Sequence, residues 1–70
     1  MTTNTLKTIE EALKTDIAVK KKFLYKMRGR LFHAKDDVTI KYYEEWVTKA
    51  NMSIARSEKA LEEFRQYVWR

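Results

Sequence analysis

An all-α fold is predicted for this 70-residue chain, on three observations. It contains no proline and a single glycine, so the strongest helix breakers are nearly absent. The residues that recur are good helix formers: Ala, Leu, Glu, Lys, Arg and Met. Apolar residues return every three or four positions along most of the chain, which is the period of one helix face. The expected architecture is a single helical domain over residues 1–70. A short N-terminal helix (5–14) precedes an antiparallel hairpin of helices 16–34 and 37–69.

The first helix is expected to begin at Thr5 or Thr8, because Thr8 and Glu11 have the Thr-x-x-Glu spacing of a capping box. Leu6, Ile9 and Leu13 then share a face. Thr15 and Asp16 interrupt the pattern, and the Asp16 carboxylate is suited to accept from free backbone N–H groups at the start of a second helix. In that second helix Ile17, Leu24, Met27, Leu31 and Ala34 form one seam. Lys20 occupies its missing position, near the expected helix start, where the aliphatic stem can lie on apolar surface. Gly29 costs about 1 kcal/mol relative to alanine inside a helix. The seam nevertheless continues through Leu31, which favours one helix to His33 or Ala34. Lys35, Asp36 and Asp37 form the turn, with Asp37 as the expected cap.

The last helix carries the most specific pattern. Ile40, Tyr43, Val47, Ala50, Ile54, Ser57, Leu61, Phe64 and Val68 alternate steps of three and four, as in a coiled-coil seam. Trp46, Ser53, Ala60 and Tyr67 widen it on one side. At 1.5 Å per residue this helix would be roughly 45–50 Å long and its shorter neighbour about 25–30 Å. The surplus seam predicts a second copy, hence a helical-bundle homo-oligomer. Its interface is expected at Tyr43, Trp46, Val47, Ala50, Ile54, Leu61, Phe64 and Val68.

Charge concentrates in one segment. Residues 20–35 hold seven of the fifteen Lys and Arg and no acid, so this segment more than accounts for the net charge of +5. Such a patch attracts anionic partners. Lys21, Tyr25, Arg28, Phe32 and Lys35 step along one side of their helix, alternating cations with rings, and Lys22, Lys26 and Arg30 are expected beside them. Cations can meet phosphates while a ring stacks on a base. The opposing reading is that Tyr25 and Phe32 pack against a neighbouring helix or subunit and the cations are solvated or paired with acids. Tyr42, Trp46, Lys49 and Arg56 form a second, weaker grouping.

Signals for chemistry are poor. His33 and Asp37 stand four apart, short of the three or four protein ligands of a zinc site. Glu10/Glu11, Glu44/Glu45 and Glu62/Glu63 are adjacent pairs whose members diverge by about 100° on a helix. Ser53 and Ser57 have no histidine argued near them, and one glycine cannot build a phosphate loop. Asn51-Met52-Ser53 matches a glycosylation sequon, but in mid-helix. The chain has no cysteine, which excludes disulfides and suits a reducing compartment. It shows neither an apolar run of membrane-spanning length nor the apolar core of a signal peptide, so a cytoplasmic protein without membrane partners is expected.

The expected function is non-enzymatic, with no cofactor and no metal: binding of nucleic acid or a phosphorylated nucleotide through residues 20–35. The alternative is a protein-interaction factor, an inhibitor or adaptor docking through its helical faces. In size and style, though in no residue motif, the chain is similar to small accessory proteins of phages.

Overall fold

A computed structural model describes residues 2–68 as two long helices, α1 (Thr3–His33) and α2 (Asp37–Val68), joined by a three-residue turn. They pack antiparallel: Glu10 meets Arg65, Lys20 meets Ser57 and Phe23 meets Trp46, so partner numbers fall on α2 as they rise on α1. The hairpin is a rod of 53 × 16 × 12 Å. The all-α expectation holds. The expected end of the last helix at residue 69 lies outside the described residues.

The expected short first helix does not exist as a separate element, because α1 runs unbroken through Thr15 and Asp16. The step from Leu13 to Ile17 is four residues, so the seam keeps its phase across the supposed break. With seam positions named a and d, Thr8, Thr15, Lys22 and Gly29 all occupy f, the position facing water, and all four are exposed. A threonine there costs about half a kcal/mol of helix propensity, less than the burial of Ile17 and Leu24 returns. Thr8 consequently caps nothing. Its hydroxyl donates to the Asn4 carbonyl at 2.9 Å, as an interior threonine does, and the helix is capped by Thr2, whose Oγ1 accepts from the Thr5 N–H at 3.2 Å.

The turn differs by one residue from the expected one. Asp36, not Asp37, caps α2: its carboxylate accepts from the Thr39 N–H at 2.7 Å and from the Thr39 hydroxyl at 2.9 Å. Asp37 becomes the first helical residue, where its charge complements the helix dipole. Two N–H groups thus find partners at the turn, since that of Ala34 bonds the Leu31 carbonyl.

The core is a thin line. Ile17, Leu24, Met27, Ala50 and Ile54 are buried, each still 5–8% exposed, and Val47 packs against Leu24, Ala50 and Ile54. At 31 and 32 residues the helices are each about 47 Å long and cover one another end to end. The surplus of seam from which a second copy was expected is therefore taken up by α1 itself. Lys20 is not near a helix start either. It is a mid-helix d residue whose ammonium donates to Ser57 Oγ at 2.6 Å and pairs with Asp16 at 2.9 Å, while the Ser57 hydroxyl donates to Asp16 at 3.0 Å. This closed triangle joins the helices across the seam. Glu10 and Arg65 join the open ends at 2.7 Å.

Two consequences are measurable. Gly29 is helical, exposed and has nothing within 4 Å of where a Cβ would stand, so Gly29→Ala should raise stability by about 1 kcal/mol in denaturant unfolding. A destabilised variant would show that the position is not the free helical site described. The second concerns pH. Hydrogen bonds from Lys20 and then Ser57 hold the Asp16 carboxyl below its ordinary range, and one from Arg65 does the same for Glu10. A carboxylate with a lowered folded-state pKa contributes stability above its unfolded pKa and loses it as pH falls through the folded value. The melting temperature should thus drop as pH is taken from about 5 towards 3, and Asp16→Asn should make that drop shallower. An unchanged slope in the variant would mean that the triangle does not form in solution.

Candidate aromatic groove

The phase of the seam sorts every remaining side chain onto one of two flanks. On the first, the e positions of α1 are Lys7, Lys14, Lys21 and Arg28, a cation at every seventh residue. The e positions of α2 include Glu44 and Glu58, with Glu62 beside them. Lys14 and Lys21 line one depression with Glu58, Glu62 and Arg65. In an antiparallel pair the e flanks of the two helices adjoin, so this ladder of cations looks across at acids of its own chain.

The eight residues expected to form one basic stripe are consequently divided. Lys21, Tyr25, Arg28 and Phe32 share the charge-balanced flank. Tyr25 and Phe32 are 64% and 84% exposed, and Phe32 touches only the ring of its neighbour His33 among aromatic partners, edge-on at 5.3 Å. Lys22 points away from α2 at an f position, and Lys35 lies in the turn. Lys26 and Arg30 stand on the opposite flank. Of the residues expected at a subunit interface, Val47, Ala50 and Ile54 pack into the hairpin's own core, and Tyr43, Leu61, Phe64 and Val68 continue the same half-buried seam. Trp46 alone leaves the seam for a flank.

That second flank is different in kind. Its c and g positions supply Val19, Phe23, Lys26 and Arg30 from α1 and Tyr42, Trp46, Lys49, Ser53 and Arg56 from α2. Phe23 meets Trp46 edge-to-face, with centroids 5.9 Å apart and planes at 78°. Tyr42 adds a second edge contact to Trp46 at 6.3 Å, and the Lys49 ammonium lies 5.4 Å from the Trp46 ring centroid. The Phe23–Trp46 pair is the partition between two adjoining depressions. One, of about 400 Å³, has Ala50 and Ser53 as its floor, Val19 on its wall and Lys20 and Lys49 at its rim. The other, of about 320 Å³, carries Lys26 and Arg30 beside Tyr42.

Two physical facts make the groove. Ser53 is too small to fill the flank left beside Trp46, so the hairpin stays open there. Phe23 and Trp46 keep 40% and 38% exposure because neither helix offers enough neighbours to cover a large ring. Among the described residues no carboxylate lines either depression. The nearest acid by contact, Asp16, is already occupied by Lys20 and Ser57. Four cations and four rings therefore share this surface, and of the cations Lys20 is already paired with Asp16, while Lys26, Arg30 and Lys49 meet no carboxylate within the two depressions.

Phe23 was not singled out by the sequence reading, although the signal existed. Counting heptads from Leu6 straight through Thr15 and Asp16 places Phe23 and Arg30 at g, the same flank as Trp46. Of the expected weaker grouping, Tyr42, Trp46 and Lys49 are thus brought together while Arg56 lines neither depression, and the missing half of the site comes from α1.

Other chemistry has little to work with. Ser57 sits 2.6 Å from the Lys20 ammonium, but that ammonium is the donor in the contact and the Ser57 proton is directed to Asp16, so the hydroxyl is a structural link and not an activated nucleophile. Among the described residues no three His, Asp or Glu side chains converge as metal ligands, and no helix is long and apolar enough to cross a membrane. No protein-family model matches the chain, and no curated protein or solved structure resembles it at a significant level, so a functional reading has to come from the groove itself.

Proposed function

We propose that this chain is a non-catalytic binding protein that holds an anionic partner at the aromatic groove between α1 and α2. One observation carries the reading: among the described residues both depressions are lined by cations and rings with no carboxylate, whereas the depression on the opposite flank sets Lys14 and Lys21 beside Glu58 and Glu62. A localised, uncompensated positive face with half-exposed rings gains from an anion at its rim and from apolar or planar groups at its floor.

The reading keeps the expected role of residues 20–35 but narrows it. Lys20, Lys26 and Arg30 are the members that face the groove, and Lys49 joins them from α2. Nucleic acid or a nucleotide would place phosphates at these cations and bases against Phe23, Tyr42 and Trp46. An acidic protein surface would place carboxylates there instead. The same chain acting as an inhibitor or adaptor is the protein version of the same site, in the cytoplasm in either case.

Immobilised heparin, a generic polyanion, tests whether the groove is the anionic contact. The double variant Lys26→Glu/Arg30→Glu should elute at clearly lower salt than Lys22→Glu/Lys59→Glu, which makes the same change in net charge on outward, exposed positions. Equal shifts for the two variants would mean that heparin senses total charge alone, and the proposal would fail. Circular dichroism should report unchanged helicity in both.

A further inference from the structure

We infer that the natural occupant of this groove is an amphipathic helix of a partner protein, with bulky apolar residues on one face and acids on both sides of it. The inference rests on the proposal that the groove is the binding face and specifies what fills it.

The first argument is the width of the seam. A two-helix hairpin needs apolar residues only at a and d, yet the g flank adds Phe23, Trp46 and the small Ser53 and Ala60. Apolar g beside a and d, present here at Phe23 and Trp46 though not at Asp16 or Arg30, is the local pattern of a helix that packs against more than one neighbour. The hairpin has a seat for a third helix that neither helix of the described residues occupies.

Surface area agrees. A compact monomer of 8.5 kDa exposes roughly 4,700 Å². This chain exposes 5734 Å², about 1,000 Å² more, which is the order of what one partner buries in a specific interface. From Val19 to Arg30 on one wall, and from Tyr42 to Ser53 on the other, the groove runs about 17 Å, three helical turns. Anchors at i, i+3 or i+4, and i+7 of an incoming helix would span it. Two of them would enter on either side of the Phe23–Trp46 partition.

Charge chooses among occupants. A symmetric pairing of two copies through this face would bring Lys26, Arg30 and Lys49 of both onto one interface whose depressions carry no carboxylate among the described residues. A second copy is therefore disfavoured here. For a nucleic acid, stacking requires open ring faces, but Trp46 already meets the rings of Phe23 and Tyr42, and Lys49 covers it. A base would have to displace these contacts, whereas an aliphatic side chain fits beside them over Ala50 and Ser53. Carboxylates flanking such a helix would reach Lys20, Lys26, Arg30 and Lys49.

The test uses the full chain and three fluorescent probes. One is a synthetic alanine-based peptide of about five helical turns with leucines at i, i+3, i+7 and flanking glutamates. The second is the same peptide with lysines replacing the glutamates, and the third is an oligothymidylate. The acidic peptide should bind in an anisotropy titration and gain helicity on binding, while the basic one should not bind. Trp46→Ala and Lys26→Glu/Arg30→Glu should each weaken binding about tenfold or more, and Lys22→Glu/Lys59→Glu should leave it nearly unchanged. Because the charge variant removes no packing, it keeps the test valid if Trp46→Ala destabilises the hairpin. Oligothymidylate that binds more tightly than the peptide, and loses affinity in the same variants, would overturn the helix inference and leave the groove proposal standing. A concentration-dependent dimer in sedimentation that Lys26→Glu/Arg30→Glu disrupts would overturn both the helix inference and the proposal of an anionic partner, in favour of a second copy. If neither acidic peptide nor oligonucleotide binds, or if the groove and back variants behave alike, both readings fall.

Discussion

The a/d seam between two helices of equal length is the constraint on which the rest of this molecule hangs. Because α1 and α2 match residue for residue from the turn outward, each apolar side chain of one finds its counterpart on the other, and no part of either seam is left over. The phase of that seam then dictates where every other residue stands. Thr15 and Gly29, poor helix formers, are harmless because the phase sends them to water. The lysines at e, seven residues apart, line up beside acids of the opposite helix. Phe23 and Trp46 meet because both stand at g.

A seam made of so few buried residues would tolerate sliding, since one Leu-sized contact resembles the next. The Lys20–Ser57–Asp16 triangle opposes this. Shifting one helix by a turn would leave the Lys20 ammonium facing an apolar residue and Asp16 without its cross-helix donor, an outcome costlier than the triangle's modest net contribution to stability. The Glu10–Arg65 contact at the open ends and the Asp36 cap at the closed end fix the same register from both extremes. Polar groups placed in and beside the seam thus specify the pairing, and the apolar ones drive it.

The two flanks divide the labour of the surface. One returns its charge to the chain itself and reads as structural. The other keeps its acids, Asp16 and Glu63, outside its two depressions, omits bulk at Ser53 and leaves two large rings only half covered. A hairpin selected for stability alone would fill such a flank with complementary charge, as the first flank does. Its openness is the feature on which the proposed binding role rests, and an apolar floor with a cationic rim sets the chemistry that a guest would need.

From the residues alone, the helical class, the α2 seam with its end near Val68 and the turn between residues 34 and 37 were all legible, since each depends on local propensity and on a period confined to one element. Whether Tyr25 and Phe32 pack against a neighbour or stand open was not legible; in the hairpin both are exposed. Two things needed the partner helix. The continuity of α1 was decided by burial against α2, which outweighs the local preference of Thr15 and Asp16 to end a helix. The position of the candidate site was decided by the same packing, because a helix wheel shows which residues share a side but not what the neighbouring helix presents to it. Cations that look equivalent along residues 20–35 are set apart by their neighbours: glutamates across from Lys21, rings across from Lys26 and Arg30.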